Sequence, residues 1–505
     1  MYKADDGQIN LAEFMSPFGE LDPKNRWVQI ANIIPWTKYE KKYADQFCEN
    51  NGARAIRFRM VMGTLIIKQK TGHSDEEVLQ DILENPYMQF LIGLHEFTKT
   101  PPFAPSSITN FRKYVTAEMT NEINEELFRA ESKKKKRDDS DEGGGSGGPV
   151  SESKDNAQQA QPAETKNAGE LILDATCAPA YIKYLTDINL LNEAREKLEG
   201  MIDVLHPRGY ATDKPRTYRQ KARQAYLRFV KNRKPRKGAI RKATGQQLRF
   251  VKRDLKHVER MIEKFGTKGL SNNQKQWLET IRKLFTQQQS MYGMKTHSVE
   301  NRIVSIGQPH VRPIVRGKAN ASTEFGAKVS ASLVNGYGFV DKIGWDAYNE
   351  EALLIPAVEK YKECYGFYPI AVQADKLFRN RENLAYCKAR GIRLSGPRLG
   401  RPPKETDKAV IRQERADSAK RNAIEGKFGE GKTGYGLDRI MARLIDSSET
   451  VIAMSFFCMN LTHRLRVLLR LLHFSLERLF WRPKLIFMGF LSSTYNSVGK
   501  RGNLQ

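Results

Sequence analysis

Two short apolar runs that each deliver an aspartate, Leu171-Ile-Leu-Asp174 and Ile370-Ala-Val-Gln-Ala-Asp375, constrain this chain more than any other feature. Apolar runs of this length read as buried strands, each with a carboxylate at its end. A third segment belongs with them. In Arg421-Asn-Ala-Ile-Glu425-Gly-Lys-Phe-Gly-Glu-Gly-Lys432 the first Arg and Glu are four apart, so on a helix they share one face, and Lys432 falls on the same stripe. One carboxylate between two cations suits holding a metal and gripping a phosphate at once. Three carboxylates from three segments are what two-metal phosphoryl transfer requires. Mg²⁺ takes hard oxygen ligands and keeps several waters. Two such ions, roughly 3.5–4 Å apart, neutralise the attacking and the leaving oxygen. Asp174, Asp375 and Glu425 are therefore the candidate catalytic and metal-binding residues, with Mn²⁺ able to substitute for Mg²⁺. Arg421 and Lys432 would position the phosphate or steady Glu425.

Each of these residues has a plainer use. Asp174 and Asp375 are also what turns and helix caps take, and Glu425 is also half of a surface i,i+4 pair. Glu324 and Glu430 are rival carboxylates. The run Gly429-Glu-Gly-Lys-Thr-Gly434 has neither the preceding strand nor the spacing of a phosphate loop.

Charge bears on the partner. The 505 residues carry 84 Lys+Arg against 58 Asp+Glu, a net +26, which favours a polyanion, nucleic acid before an anionic membrane. The length calls for two or three domains. Five scattered cysteines with no C-x-x-C pair argue against a disulfide framework and a zinc site, and for a reducing compartment. The start lacks an apolar signal segment, and Leu485–Leu491 is too short to span a bilayer. The expectation is a cytoplasmic, nucleoid-associated protein with no membrane contact.

Taken in order, residues 1–131 read as a helical N-terminal DNA-binding domain. Helices are expected over Ala55–Ile67, after the capping box Ser74-Asp-Glu-Glu77, and from Ser106 to Tyr114, where Arg112 and Lys113 can reach phosphates. Both a helix-turn-helix and a plain helical bundle fit. Residues 132–169 read as a disordered linker, with Lys133–Arg137, Gly143–Gly148 and a polar run that cannot bury enough apolar surface to order. The lysine run is read as a solvated hinge, although a localisation signal or a phosphate patch has the same composition.

A catalytic domain follows over 170–475, interrupted by a basic helical insertion at 186–299. Between His206 and Lys256 there are 18 Lys/Arg and 2 Asp, interleaved with Tyr210, Tyr218, Tyr226 and Phe229. Such cations displace counterions from DNA and the rings can stack. Arg216, Arg219, Arg223, Arg233, Lys234 and Arg236 are the candidate contacts. Beyond the insertion, Lys328–Val334 alternates, Asn335-Gly336 signals a hairpin and Tyr337–Trp345 returns. A helix at 350–365, the Asp375 strand, a helix through Asn383–Arg390, a strand at Ile392–Ser395, a polar loop up to Arg421 and a helix at Thr450–Leu472 complete the pattern. Residues 476–505 form a tail without readable periodicity. Strands and helices in this order fit an α/β catalytic core of RNase H-like fold: a mixed five-stranded sheet flanked by helices. The first Asp falls on the first strand, the second just after the fourth, and the Glu on a helix after the fifth.

These residues carry a resemblance. Arg421, Glu425 and Lys432 match the Arg, three residues, Glu, six residues, Lys signature of DDE transposases of bacterial insertion sequences, with Ser418 where that signature has Tyr. The chain looks most like the insertion-sequence-five group of the class related to insertion sequence four. Leu173-Asp174-Ala-Thr176 resembles the family's first-Asp segment, Gln373-Ala-Asp375-Lys with Asn380–Asn383 its second, and residues 53–115 its amino-terminal domain. The resemblance implies Asp174, Asp375 and Glu425 as the metal-binding triad. It also implies binding to terminal inverted repeats, hydrolytic release of 3′-OH ends, strand transfer into double-stranded target DNA, and a homodimer or higher oligomer. A related nuclease that cuts without joining, or a DNA-binding protein on an inactive scaffold, remains open from the residues alone.

Overall fold

The computed structural model describes residues 21–48, 54–138, 166–182, 186–206, 214–315, 323–396, 400 and 407–470. The glycine-rich part of the expected linker and the 476–505 tail lie outside them.

Seven helices open the described chain: α1 (Arg26–Ile33), α2 (Trp36–Ala44), α3 (Phe58–Thr71), α4 (Asp75–Glu84), α5 (Pro86–Leu91), α6 (Ser107–Tyr114) and α7 (Ala117–Asp138). The capping box is formed. Ser74 Oγ accepts from Glu77 N at 3.2 Å and Glu77 Oε2 accepts from Ser74 N at 2.7 Å, so two otherwise orphaned donors are satisfied. α3 starts later than its apolar pattern suggests and runs to Thr71, where Gly72 ends it in the left-handed conformation (φ 72°). α7 continues to Asp138, so residues 132–138 are helical and not linker.

Among the described residues the sheet has six strands: β1 (Glu170–Pro179), β2 (Arg312–Val315), β3 (Thr323–Val334), β4 (Tyr337–Gly344), β5 (Ala371–Gln373) and β6 (Arg393–Leu394). Its order is β2-β3-β1-β5-β6, with β4 also pairing β3. β2 pairs the first residues of β3 and β4 pairs the remainder, so the sheet is five strands wide with a divided edge. The expected count of five omits β2, a four-residue edge strand too short to show alternation. β1 and β3 are antiparallel, whereas β1, β5 and β6 are parallel. The Asn335-Gly336 turn has φ 53° and 84°, the positive pair a two-residue hairpin needs.

Helices α12 (Leu354–Tyr365), α13 (Arg381–Ala389), α14 (Lys408–Gly434) and α15 (445–470) flank the sheet. α14 corrects the expectation of a loop up to Arg421: Asp407 caps it by accepting from Ala409 N at 2.9 Å. The glycine-rich run Gly429–Gly434 lies inside this helix, which agrees with rejecting a phosphate loop there.

Two apolar cores result. One is continuous from Trp27 in α1 to Leu465 in α15, so the N-terminal helices and the sheet share it. Phe128 stacks on Tyr337 with ring centres 5.1 Å apart. Asn460 accepts from Gly338 N at 2.9 Å and donates to Asn124 Oδ1 at 2.9 Å, tying α7, β4 and α15 together through buried amides. The second core belongs to the insertion, α8 (Asp187–Leu205), α9 (Arg219–Val230), α10 (Lys237–Phe265) and α11 (Asn272–Met294). α8, α10 and α11 bury Leu198, Val251, Val258, Ile281 and Leu284 among themselves.

Candidate active site

The strand register sets the two aspartates at the same offset from the last β1–β5 pair. β1 and β5 pair in parallel with Ile172 opposite Gln373, and Asp174 and Asp375 each lie two residues further along. Asp174 lies in the middle of β1, opposite Ala331 of β3, whereas Asp375 lies two residues past the end of β5, where the chain turns into a short 3-10 helix. Leu171, Leu173, Val372 and Ala374 are buried around them and fix the strands. Asp375 acts as a cap, accepting from Lys376 N at 2.7 Å, which is the plain use of this residue.

α14 lies against β1 and β5, burying Ile424, Lys427, Phe428 and Gly431. Arg421 faces the sheet. Its Nη1 is 3.6 Å from Asp174 Oδ2 and its Nη2 is 3.3 Å from Glu425 Oε1, so one guanidinium stands between two of the three carboxylates. Lys420, one residue earlier, pairs with Glu170, which shares the Asp174 face of β1.

Asp174 is half-buried, and loss of solvent pushes its carboxyl above the usual range. The Ala175 N–H, 2.8 Å from Oδ1, and Arg421 oppose that shift, whereas the charges of Glu425 and Glu350 add to it. Glu350 is thus a further acidic residue within electrostatic reach of Asp174. It pairs with Lys328 at 2.6 Å. A polar residue in the loop after β4 carries no sequence signal for such a role.

Lys432 is placed elsewhere. Seven residues along a helix is roughly 10 Å, and its side chain lines a cleft of about 990 Å³ with Asp75, Arg112, Gly434 and Asp438. The rival carboxylate Glu430 is tied to Lys427 at 3.2 Å and Arg466 at 3.0 Å. Glu324 sits in β3 opposite Ile314 of β2.

Among the described residues no three acidic, His or Cys side chains are gathered closely enough to cage a metal. The donor set nonetheless suits a hard divalent cation: carboxylate oxygens only, with a guanidinium now supplying positive charge between Asp174 and Glu425.

The candidate DNA contacts divide into two groups. Arg112 is only 14% exposed and pairs with Asp75 at 3.3 Å, which makes it part of the α4–α6 packing. Arg219 and Arg223 pair with acidic residues of α8. Lys113, Arg216, Arg233, Lys234 and Arg236 are exposed. No helix of the described residues is long and apolar enough to cross a membrane.

Comparison with known proteins bears on both ends of the chain. Residues 372–462 match the family model of a transposase DDE domain, and residues 17–114 match that of a transposase domain, DUF772. The first match includes Asp375, Arg421, Glu425 and Lys432, while Asp174 lies outside both. An uncharacterised protein, ORF8 in the nfe locus of Rhizobium meliloti, is 26% identical over 208 residues, covering 41% of this chain and 85% of that protein. No solved structure matches the chain. The chain resembles the DDE transposases of insertion sequences, and a DDE domain implies the RNase H-like arrangement that its mixed sheet and flanking helices have.

Proposed function

From this kinship with the DDE transposases, we propose that the chain is an active transposase of the insertion-sequence-five group. It binds the terminal inverted repeats of its element and cuts and joins double-stranded DNA at Asp174, Asp375 and Glu425. The observation that supports the reading is Arg421 of α14, which lies between Asp174 and Glu425, together with the β1–β5 register, whose last pair, Ile172 opposite Gln373, stands two residues before each aspartate.

Each residue then has a task. Asp174 on β1, Asp375 just past β5 and Glu425 on α14 would offer oxygen ligands to divalent metal, Mg²⁺ by preference or Mn²⁺ in its place. Two bound ions supply charge neutralisation at the attacking and leaving oxygens. Arg421 keeps the carboxylates balanced and, with its planar fork, can turn to a phosphate. Lys432 lies further along α14 and contacts the DNA away from the scissile bond. The positive charge of the whole chain supports the same partner. Two ends held for joining call for at least a homodimer.

Cleavage and strand transfer on supercoiled DNA carrying the element's own ends tests this, with Mg²⁺, with EDTA and with Glu425→Gln. Metal-dependent cutting at the ends followed by joined products, both lost in the variant, is expected. Cutting without joining would leave a nuclease, and specific binding without cutting in Mg²⁺ or Mn²⁺ would remove both enzymatic readings.

A further inference from the structure

We propose that α9 and the turn joining it to α10 form an arm that grips the phosphates of duplex DNA without regard to sequence, held back in the free protein by an acidic stripe on α8. The choice of DNA as the polyanion rests on the transposase reading. The arm itself rests on the geometry of the insertion.

α9 barely belongs to the insertion's core, burying Ala222 alone of its twelve residues. Polar contacts hold it instead. Glu196, Glu199 and Asp203 lie on one stripe of α8, at spacings of three and four. Arg223 Nη1 is 3.9 Å from Glu196, Arg219 Nε is 3.8 Å from Glu199, and Arg219 Nη2 is 2.8 Å from Asp203. Lys214 pairs with Asp203 as well. Tyr226 adds a hydrogen bond to Asn189 at 3.1 Å.

The base of α9 is pinned separately. Tyr218 enters the helix with φ 52°, a conformation that is costly for a residue of its size. Arg253 of α10 holds this joint by donating to Thr217 O and by lying 5.1 Å from the Tyr218 ring.

Beyond the stripe the balance is one-sided. From Lys214 to Arg253 the chain has no acidic residue. Lys231, Arg233, Lys234, Arg236 and Lys237 are exposed, and none has an acidic partner among the described residues. Leu227 and Val230 are 43% and 49% exposed beside them. A helix held by ion pairs at one end, with uncompensated cations at the other, suits a ligand carrying regularly spaced negative charge. Phosphates engage the unpaired cations first and then compete with Glu196 and Asp203 for Arg223 and Arg219, with release of the counterions condensed on the duplex.

The test is binding of a fluorescent duplex of unrelated sequence, followed across a series of salt concentrations. The full chain, R233A/K234A/R236A/K237A and Asp203→Asn are compared. All the substituted side chains are exposed, and thermal melting of each variant checks that the fold is kept. The quadruple variant should bind at least tenfold more weakly at about 0.1 M salt. Its slope of log affinity against log salt should flatten by about 0.9 for each phosphate no longer neutralised. Asp203→Asn should bind severalfold more tightly and speed amide exchange over 214–230. An arginine-to-lysine version, R233K/R236K, should keep the slope. An unchanged slope in the quadruple variant overturns the arm, and no effect of Asp203→Asn overturns the latch. Binding to phosphatidylserine vesicles that falls in the quadruple variant while duplex binding stays would give the surface to a membrane and also overturn the proposal. Because the probe lacks element ends and no cutting is scored, this result is separate from the cleavage test of the transposase reading.

Discussion

The proposed active site and the helical insertion solve the same electrostatic problem with opposite signs. Beside β1, one guanidinium, Arg421, stands between the carboxylates of Asp174 and Glu425. In the insertion, cations crowd and an acidic stripe of α8 restrains them at one end. Each site is held by a counter-charge that its ligand would displace, a cation in the first case and a phosphate in the second. Exposed ion pairs such as Arg219–Asp203 contribute only about 0.2–1 kcal/mol each, so the restraint on α9 yields readily. What differs is the support behind them. Asp174 stands on β1 and Glu425 on α14, both packed into the core shared with the N-terminal helices, whereas α9 rests on little more than Ala222 and its ion pairs.

The largest effect should come from removing a carboxylate at the rigid site. Asp174→Asn should lower DNA cleavage by about 10²–10⁴-fold, the loss of several kcal/mol of charge stabilisation. The same change should raise thermal stability at neutral pH. Burial raises the carboxyl's folded pKa, so its contribution to stability is fully present below the unfolded pKa and is lost as pH rises through the folded one. A melt that falls while cleavage survives would contradict both halves.

Core truncations separate the regions next. Phe339→Ala in β4 should cost about 3–5 kcal/mol and loosen sheet and N-terminal helices together, because both share that core. Ile281→Ala in α11 should cost about 2–5 kcal/mol, and faster amide exchange should be confined to the insertion. Exchange spreading from Ile281→Ala into β1 would show the two cores to be one cooperative unit.

A smaller, pH-dependent effect belongs to His310, edge-on to Trp345 with ring centres 4.4 Å apart at the margin of the sheet. Burial, with Arg312 adding, pulls its pKa down to about 4. Stability is therefore fully present above the unfolded pKa near 6.5 and falls as pH drops from there towards 4. His310→Phe should flatten that fall, by at most about 3 kcal/mol. Denaturant titrations at pH 7 and pH 4.5 measure it. Smallest of all, Arg421→Gln should tighten Mn²⁺ binding about two- to fivefold by removing a competing surface-type charge, while cleavage drops because the phosphate loses its grip.

Much of this is legible in the sequence, for reasons that name individual residues. The Ser74–Glu77 capping box and the Asn335-Gly336 hairpin each have a local chemical cause, and local causes are what sequence shows. The first half of α14 reads as a loop because Lys408–Ser418 is rich in charge, has its apolar residues clustered at Ala409–Ile411 rather than repeated along one face, and buries only Asp417. β2 is too short to alternate, and its place is set by β3. Arg112 and Arg219 read as DNA contacts because an unpaired and a paired arginine look alike until Asp75 and Asp203 are seen beside them. Glu350 comes within reach of Asp174 only through the fold, since the two are brought together by β3 and β4.

Isothermal titration of Mn²⁺ into the full chain and into Asp375→Asn tests the proposed metal centre most directly, because Asp375 is assigned to it through strand register alone. Saturable binding by the full chain that is lost in the variant, with both melting alike, is the result expected of one metal centre shared by Asp174, Asp375 and Glu425. Equal binding by the two proteins would mean that Asp375 caps its turn and nothing more, and that the proposed metal site is not there.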